Sequence, residues 1–133
     1  MRTRLMLLSL CLGALFLVAG ESSAAGSLSA QSTSGSGVMV KATPRALTSG
    51  TWEFEIAFDT HTQALNDDLM KTASLVADGR AHVPVGWKGD PPGGHHRKGV
   101  LRFDAIKPAP KVIELRIVRP GEPKPRTFHW QLK

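Results

Sequence analysis

The sequence has no tyrosine and one cysteine, Cys11, which stands inside the apolar run that opens the chain. Past that run there is no thiol. A disulfide framework, a thiol nucleophile and a thiolate metal site are therefore excluded there. Aromatic residues make up only 6% of the chain, so few are free for stacking on bases. Basic residues outnumber acidic ones, 17 to 11. Yet no four Lys or Arg are adjacent. Nucleic-acid surfaces cluster basic residues with aromatics among them. Neither feature is present, so nucleic acid is not an expected partner. Loose attraction to an anionic envelope polymer needs no such clustering.

Long hydrophobic runs are also missing after the first segment. That segment has Arg2 and Arg4, an apolar run from Leu5 to Val18, then Ser23 and Ala25. Basic start, short apolar centre and small residues are the layout of a secretory signal peptide, here 1–25. A spanning helix needs about 20 apolar residues, and this run is shorter. The expectation is a cleaved leader, no transmembrane segment afterwards, and an exported protein, periplasmic or extracellular. Leu10 before Cys11 is too bulky for a lipoprotein site, so Cys11 reads as part of the leader. Residues 26–37 are Ser- and Gly-rich and carry little apolar surface. They are expected to be a flexible tether. The folded domain is expected over 38–133.

From Val38 the hydrophobic period is two. Trp52, Phe54, Ile56 and Phe58 share one face, and Glu53, Glu55 and Asp59 share the other. Leu101, Phe103 and Ala105 repeat the pattern, as do Ile113, Leu115 and Ile117, then Phe128, Trp130 and Leu132. Alternation of this kind marks half-buried strands. Asp78-Gly79 is a two-residue hairpin signal. Pro84 places the strand after it at a sheet edge. Residues 67–77 fit either a helix or a strand. A short helical turn near Asp67–Lys71 followed by a strand is the preferred reading. Seven strands result: 38–43, 51–59, 72–77, 80–87, 99–106, 111–119 and 126–133. The expected fold is all-β, an antiparallel two-sheet immunoglobulin-like sandwich of about seven strands. The Cys–Trp–Cys hallmark of antibody domains is absent.

If each strand reverses direction, residues 60–71, 88–98 and 120–125 meet at one end of the sandwich. Such ends are where sandwiches bind. The binding candidates there are Asp59, His61, Trp87, Asp90, His95, His96, Arg97 and Lys98. Asp67 and Asp68 are read as solvated acids at a helix start. A Zn or Cu(II) site could draw on Asp59, His61, His95 and His96, since imidazole with carboxylate suits those ions. Against it, adjacent histidines in an extended segment point to opposite faces. An anion nest could form around Gly93-Gly94 with Arg97 and Lys98, although GxxxxGK[ST] is absent. An enzyme needs nucleophile, base and orienter together. His61 with Asp59 could supply a base. No serine falls near them and no GxSxG occurs, so no catalytic activity is expected. Met39 and Met70 read as core filler.

Two segments carry a family resemblance. TWEFEIAFDTH (51–61) and WKGDPPGGHHRKGVLRF (87–103) resemble a recurring group of small exported bacterial and archaeal proteins. That group shares W-x-F-x-[VI]-x-[LF]-D-T-H and W-x-G-x-P-P-G-G-H-H-R-x-G-V-L-x-F. The resemblance covers nearly all of 38–133 and implies an exported β-sandwich, with no particular activity. The sequence thus points to a non-catalytic binding or accessory module whose partner is an envelope protein or polymer. The alternative is a periplasmic or extracellular Cu- or Zn-binding protein using the same end.

Overall fold

A computed structural model of the chain describes residues 28–133. The expected leader, 1–25, and the first two residues of the expected tether lie outside the described residues. The rest holds nine strands: β1 Gln31–Gly35, β2 Val38–Ala46, β3 Thr51–Thr60, β4 Ala73–Ala77, β5 Arg80–His82, β6 Gly86–Gly89, β7 His96–Asp104, β8 Val112–Ile117 and β9 Arg126–Gln131. One helical turn, α1 Leu69–Thr72, precedes β4. No helix among the described residues is long and apolar enough to cross a membrane.

The strands form two antiparallel sheets, ordered β1-β2-β3-β7-β6 and β5-β4-β8-β9. This is the expected immunoglobulin-like sandwich, with nine strands in place of about seven. Alternation produced it directly. Trp52, Phe54, Ile56 and Phe58 of β3 are buried, as are Leu101 and Phe103 of β7. Ile113, Leu115 and Ile117 of β8 and Phe128 and Trp130 of β9 cover them from the second sheet. Phe54 sits at the centre of the aromatics, edge-on to Phe103 at 5.8 Å and tilted against Trp130 at 5.5 Å. Pairs in this range add about 0.5–1.5 kcal/mol beyond area burial.

The extra strands are two corrections to the sequence reading. The first is the tether. Gln31–Gly35 is not flexible linker but an edge strand, paired with β2 through a two-residue turn at Ser36-Gly37. Its own side chains bury little. It is held instead by hydrogen bonds that join it to the second sheet. The Trp130 indole N–H donates to the Ser29 carbonyl at 2.8 Å. The Gln31 side chain grips the backbone of His129 on both sides, accepting from its N–H and donating to its carbonyl. Composition rules judge a segment by the apolar surface it brings, and this one is anchored by hydrogen bonds to a strand far along the chain.

The second correction is the strand expected at 80–87. It is two strands in different sheets. β5 pairs β4, β6 pairs β7, and the chain changes sheet at Val83-Pro84-Val85. Proline has no N–H to give a ladder, which makes it a natural crossing point. The preferred reading of 67–77 matches α1 followed by β4, with the Asp68 side chain capping α1 by accepting from the Met70 N–H at 3.2 Å. Met39 and Met70, read as core filler, are instead about two-fifths exposed.

Candidate functional site

The expected end of the sandwich does assemble. Thr60 N–H donates to the His95 carbonyl at 2.9 Å. Leu65 N–H donates to Gly94 O at 3.1 Å, and Gly93 N–H returns to Leu65 O at 2.8 Å. Gly93 and Gly94 both have positive φ, 112° and 71°. That backbone curl, open to glycine and strained for other residues, turns the 90–95 loop onto the 60–68 loop. Gly93 N–H is thereby used within the loops and is not a free donor for an anion nest.

The eight candidate residues do not form one cluster. Asp59 and His96 are register partners at the ends of β3 and β7. Asp59 Oδ1 and His96 Nδ1 lie 2.5 Å apart on the exposed outer face. Lys98 continues that face, with Nζ 3.0 Å from Glu55 Oε1. His95 is exposed. His61 is exposed and shares a shallow groove of about 320 Å³ with Asp59, Met39 and the β1–β2 turn. Among the described residues, no three His, Cys, Asp or Glu side chains gather as a metal-binding group.

Asp90, Trp87 and Arg97 form a second group. The Asp90 carboxylate accepts from the Lys98 N–H at 2.9 Å and its carbonyl accepts from Arg97 Nε at 3.2 Å. The Arg97 guanidinium stacks over the Trp87 ring, 5.4 Å from its centroid. Arg97 is 3% exposed. It also donates from Nη1 to the Asp67 backbone carbonyl.

Asp67 corrects the reading of two solvated acids. Asp68 is exposed, but Asp67 is 1% exposed. Its carboxylate accepts from two of the three guanidinium nitrogens of Arg119, Nε to Oδ2 and Nη2 to Oδ1, each at 3.0 Å. Arg119 gives its remaining arm, Nη1, to Glu122 Oε2 at 2.9 Å. Glu122 then accepts from Arg126 Nε at 2.5 Å and Nη2 at 3.0 Å. Arg126 ends the chain on the β1 hairpin, at Thr33, Gly35 and the Val38 carbonyl. One continuous path, Asp90–Arg97–Asp67–Arg119–Glu122–Arg126, thus ties every loop at this end to its neighbour. No buried side-chain nitrogen or oxygen among the described residues lacks a partner.

Sequence reasoning missed Arg119, Glu122 and Arg126 as a unit, yet three of the four charged residues buried among the described residues carried a signal. Arg119 follows Ile113, Leu115 and Ile117 at the same parity. Arg97 precedes Leu101 and Phe103 at theirs. Arg126 precedes Phe128 and Trp130 at theirs. A charge on the core-facing parity at a strand end must be paired or exposed by a bend.

The network has a titration consequence. Hydrogen bonds from Arg126 hold the Glu122 carboxyl below the ordinary carboxylate range. Burial opposes this, and the charge of Arg126 with the hydrogen bond and charge of Arg119 reinforce it. A lowered folded pKa means that the unfolded chain takes the proton first as pH falls. The contribution is whole above the ordinary carboxylate pKa and is lost as pH falls through the lowered one. For Arg119, burial pulls the pKa down, but the bonds and charges of Asp67 and then Glu122 outweigh it and raise it. That contribution is whole below the ordinary arginine pKa and is lost only in strong alkali. The urea midpoint is therefore expected to hold near neutrality and to fall below about pH 4. Glu122→Gln is expected to flatten part of that fall. A midpoint that rises on acidification contradicts the assignment.

No protein-family model, curated protein or solved structure matches the chain.

Proposed function

We propose that the protein is an exported, non-catalytic binding module of the cell envelope, which meets an envelope protein or polymer through its clamped loop end. The observation that carries this reading is the path of buried charges that fixes the loops. Buried ion pairs are a costly way to gain stability, because desolvation offsets most of the attraction. What they supply is one defined geometry. Here that geometry belongs to loops rather than to the core; the loops present exposed His61 and His95, beside His96 and half-buried Asp59 at the ends of β7 and β3. Preorganised loops lose little entropy on binding. The export half of the reading rests on Arg2, Arg4 and the Leu5–Val18 run, and the resemblance of the 51–61 and 87–103 segments supports it. The non-catalytic half rests on the sequence, in which no GxSxG motif occurs; Ser34 of β1 lines the groove with Asp59 and His61.

The test is site-specific photocrosslinking in the intact envelope. A crosslinking residue at position 95 is expected to capture one discrete protein or wall fragment. The same residue at position 78, in the turn at the far end, is expected to capture none. Equal capture at both positions, or none at either, overturns the reading.

A second reading is favoured by one observation. Met39, Asp59 and His61 line one groove, and His96 touches Asp59. Thioether, carboxylate and imidazole are a copper-type donor set. Under this reading Cu or Zn raises the melting temperature, because a ligand for the native state alone stabilises it, and His61→Ala removes the rise.

A further inference from the structure

Arg97 differs from the other two arginines buried among the described residues. Arg119 and Arg126 each hold carboxylates. Arg97 donates only to the neutral carbonyls of Asp90 and Asp67, from Nε and Nη1. Among the described residues it forms no ion pair, and its Nη2 has no acceptor. Yet no buried polar side-chain atom there is left without a partner. Nη2 must therefore reach solvent, although the residue as a whole is 97% covered. Arg97 lines a groove of about 290 Å³ between α1 and β6, formed with Asp67, Asp68, Leu69, Met70, Trp87 and Pro92.

We propose that this groove binds a small organic carboxylate, held by the free arm of Arg97 with its apolar body against Trp87, Met70 and Pro92. The proposal rests on the reading of this end as a binding end and names the ligand class that it takes. A guanidinium with an open N–H and no counter-charge is a receptor for an oxyanion, and charge-assisted bonds of this kind are about twice as strong as neutral ones. Stacking on Trp87 holds the guanidinium plane in place before a ligand arrives. The Asp67 carboxylate does not compete, since both of its oxygens are taken by Arg119. Asp68 stands on the rim with its charge partly offset by Lys71 at 3.8 Å. A second negative charge there disfavours dianions such as phosphate and leaves a monoanion as the fitting class. The walls are apolar and aromatic, and the volume is at the small end of the range of about 300–1,000 Å³ for ligand pockets. One ring or a short branched chain fills it.

The test is a titration of the protein with benzoate, followed by the NMR signals of the Trp87 indole N–H and the Arg97 Nε–H. Both are expected to move and to saturate. Benzamide has the same shape without the charge, and is expected to bind at least about tenfold more weakly, a difference of about 1.4 kcal/mol. Arg97 also fastens two loops, so its own replacement can unfold the domain. Met70→Glu is the cleaner variant. Met70 is 40% exposed, and the new carboxylate would occupy the groove mouth without disturbing the core. It is expected to weaken benzoate at least about tenfold while the melting temperature holds. Signals that stay still, or that move equally with benzamide or sodium sulfate, overturn the proposal. So does unchanged benzoate binding in Met70→Glu. Crosslinking from position 95 is a separate readout, so failure here is distinguishable from failure of the proposed function.

Discussion

Asp67→Ala is expected to lower the melting temperature by more than about 10 °C, while Asp68→Ala lowers it by about 4–8 °C at most. The two acids are adjacent in sequence, and their environments are opposite. Asp67 is 1% exposed and takes a bidentate pair of bonds from Arg119, itself 5% exposed. Its removal leaves Arg119 and Arg126 sharing the single carboxylate of Glu122 in a dry site. Breaking one partner out of a buried pair costs about 3–5 kcal/mol. In a domain of this size each kcal/mol corresponds to about 4–8 °C. Asp68 caps a helix of four residues, and an N-cap is worth about 1 kcal/mol. A thermal melt of the two variants side by side checks the contrast. Equal small shifts would mean that Asp67 is solvated, as its sequence neighbourhood suggests, and that the charge network does not hold the loops.

The second large effect is expected at Gly89. Gly89 faces Gly99 across the β6–β7 ladder. A Cβ on Gly89 would overlap the Gly99 Cα and the Lys98 carbonyl oxygen, both of them backbone. Neither can rotate away, so the ladder itself must part. Overpacking of this kind costs about 1–3 kcal/mol, and backbone against backbone places Gly89→Ala toward the upper end. Gly99→Ala meets a side chain first and backbone second. Its Cβ would lie 2.5 Å from Trp87 Cζ2, 2.6 Å from Cη2 and 2.8 Å from the Gly89 Cα. The ring can move, and the backbone overlap is milder than the 2.3 Å and 2.5 Å that a Cβ on Gly89 would meet. Gly99→Ala is therefore expected to cost less stability while displacing the indole from Arg97. Melting temperatures rank the two variants, and the Trp87 indole signal shows which one frees the ring. A Gly89→Ala protein that melts like the parent would contradict the close approach of β6 and β7.

These glycines show how much of the end was legible in the sequence. The two-residue alternation placed the core strands and hence the sandwich. It also brought 60–71, 88–98 and 120–125 to one end, as the Thr60–His95 and Leu65–Gly94 bonds and the Asp67–Arg119–Glu122 bridge show. What alternation cannot display is a residue whose role depends on a partner far along the chain. Gln31 looks like linker until it grips His129, 98 positions away. Asp67 looks solvated until Arg119 arrives from 52 positions on. Pro84 did signal an edge, but not that two edges meet there. The candidate histidines lie at or beside the loop end, and His96 is the one hydrogen-bonded to Asp59, because β3 and β7 put these two in register; His61 shares a groove with Asp59 without such a bond. The site that the sequence did not offer is the charge path behind them.

The claim on which the account depends is that these loops are rigid before any partner binds. Amide hydrogen exchange at Leu65 and Gly93 tests it most directly, since each donates its N–H across the loop junction. Strand amides open only with large free energies, and free loop amides open with almost none. Protection of both amides within about tenfold of the amides in β3, and its loss in Asp67→Ala at a temperature where β3 stays protected, is the predicted result. Exchange of Leu65 and Gly93 at the rate of an unstructured chain in the parent protein would contradict it.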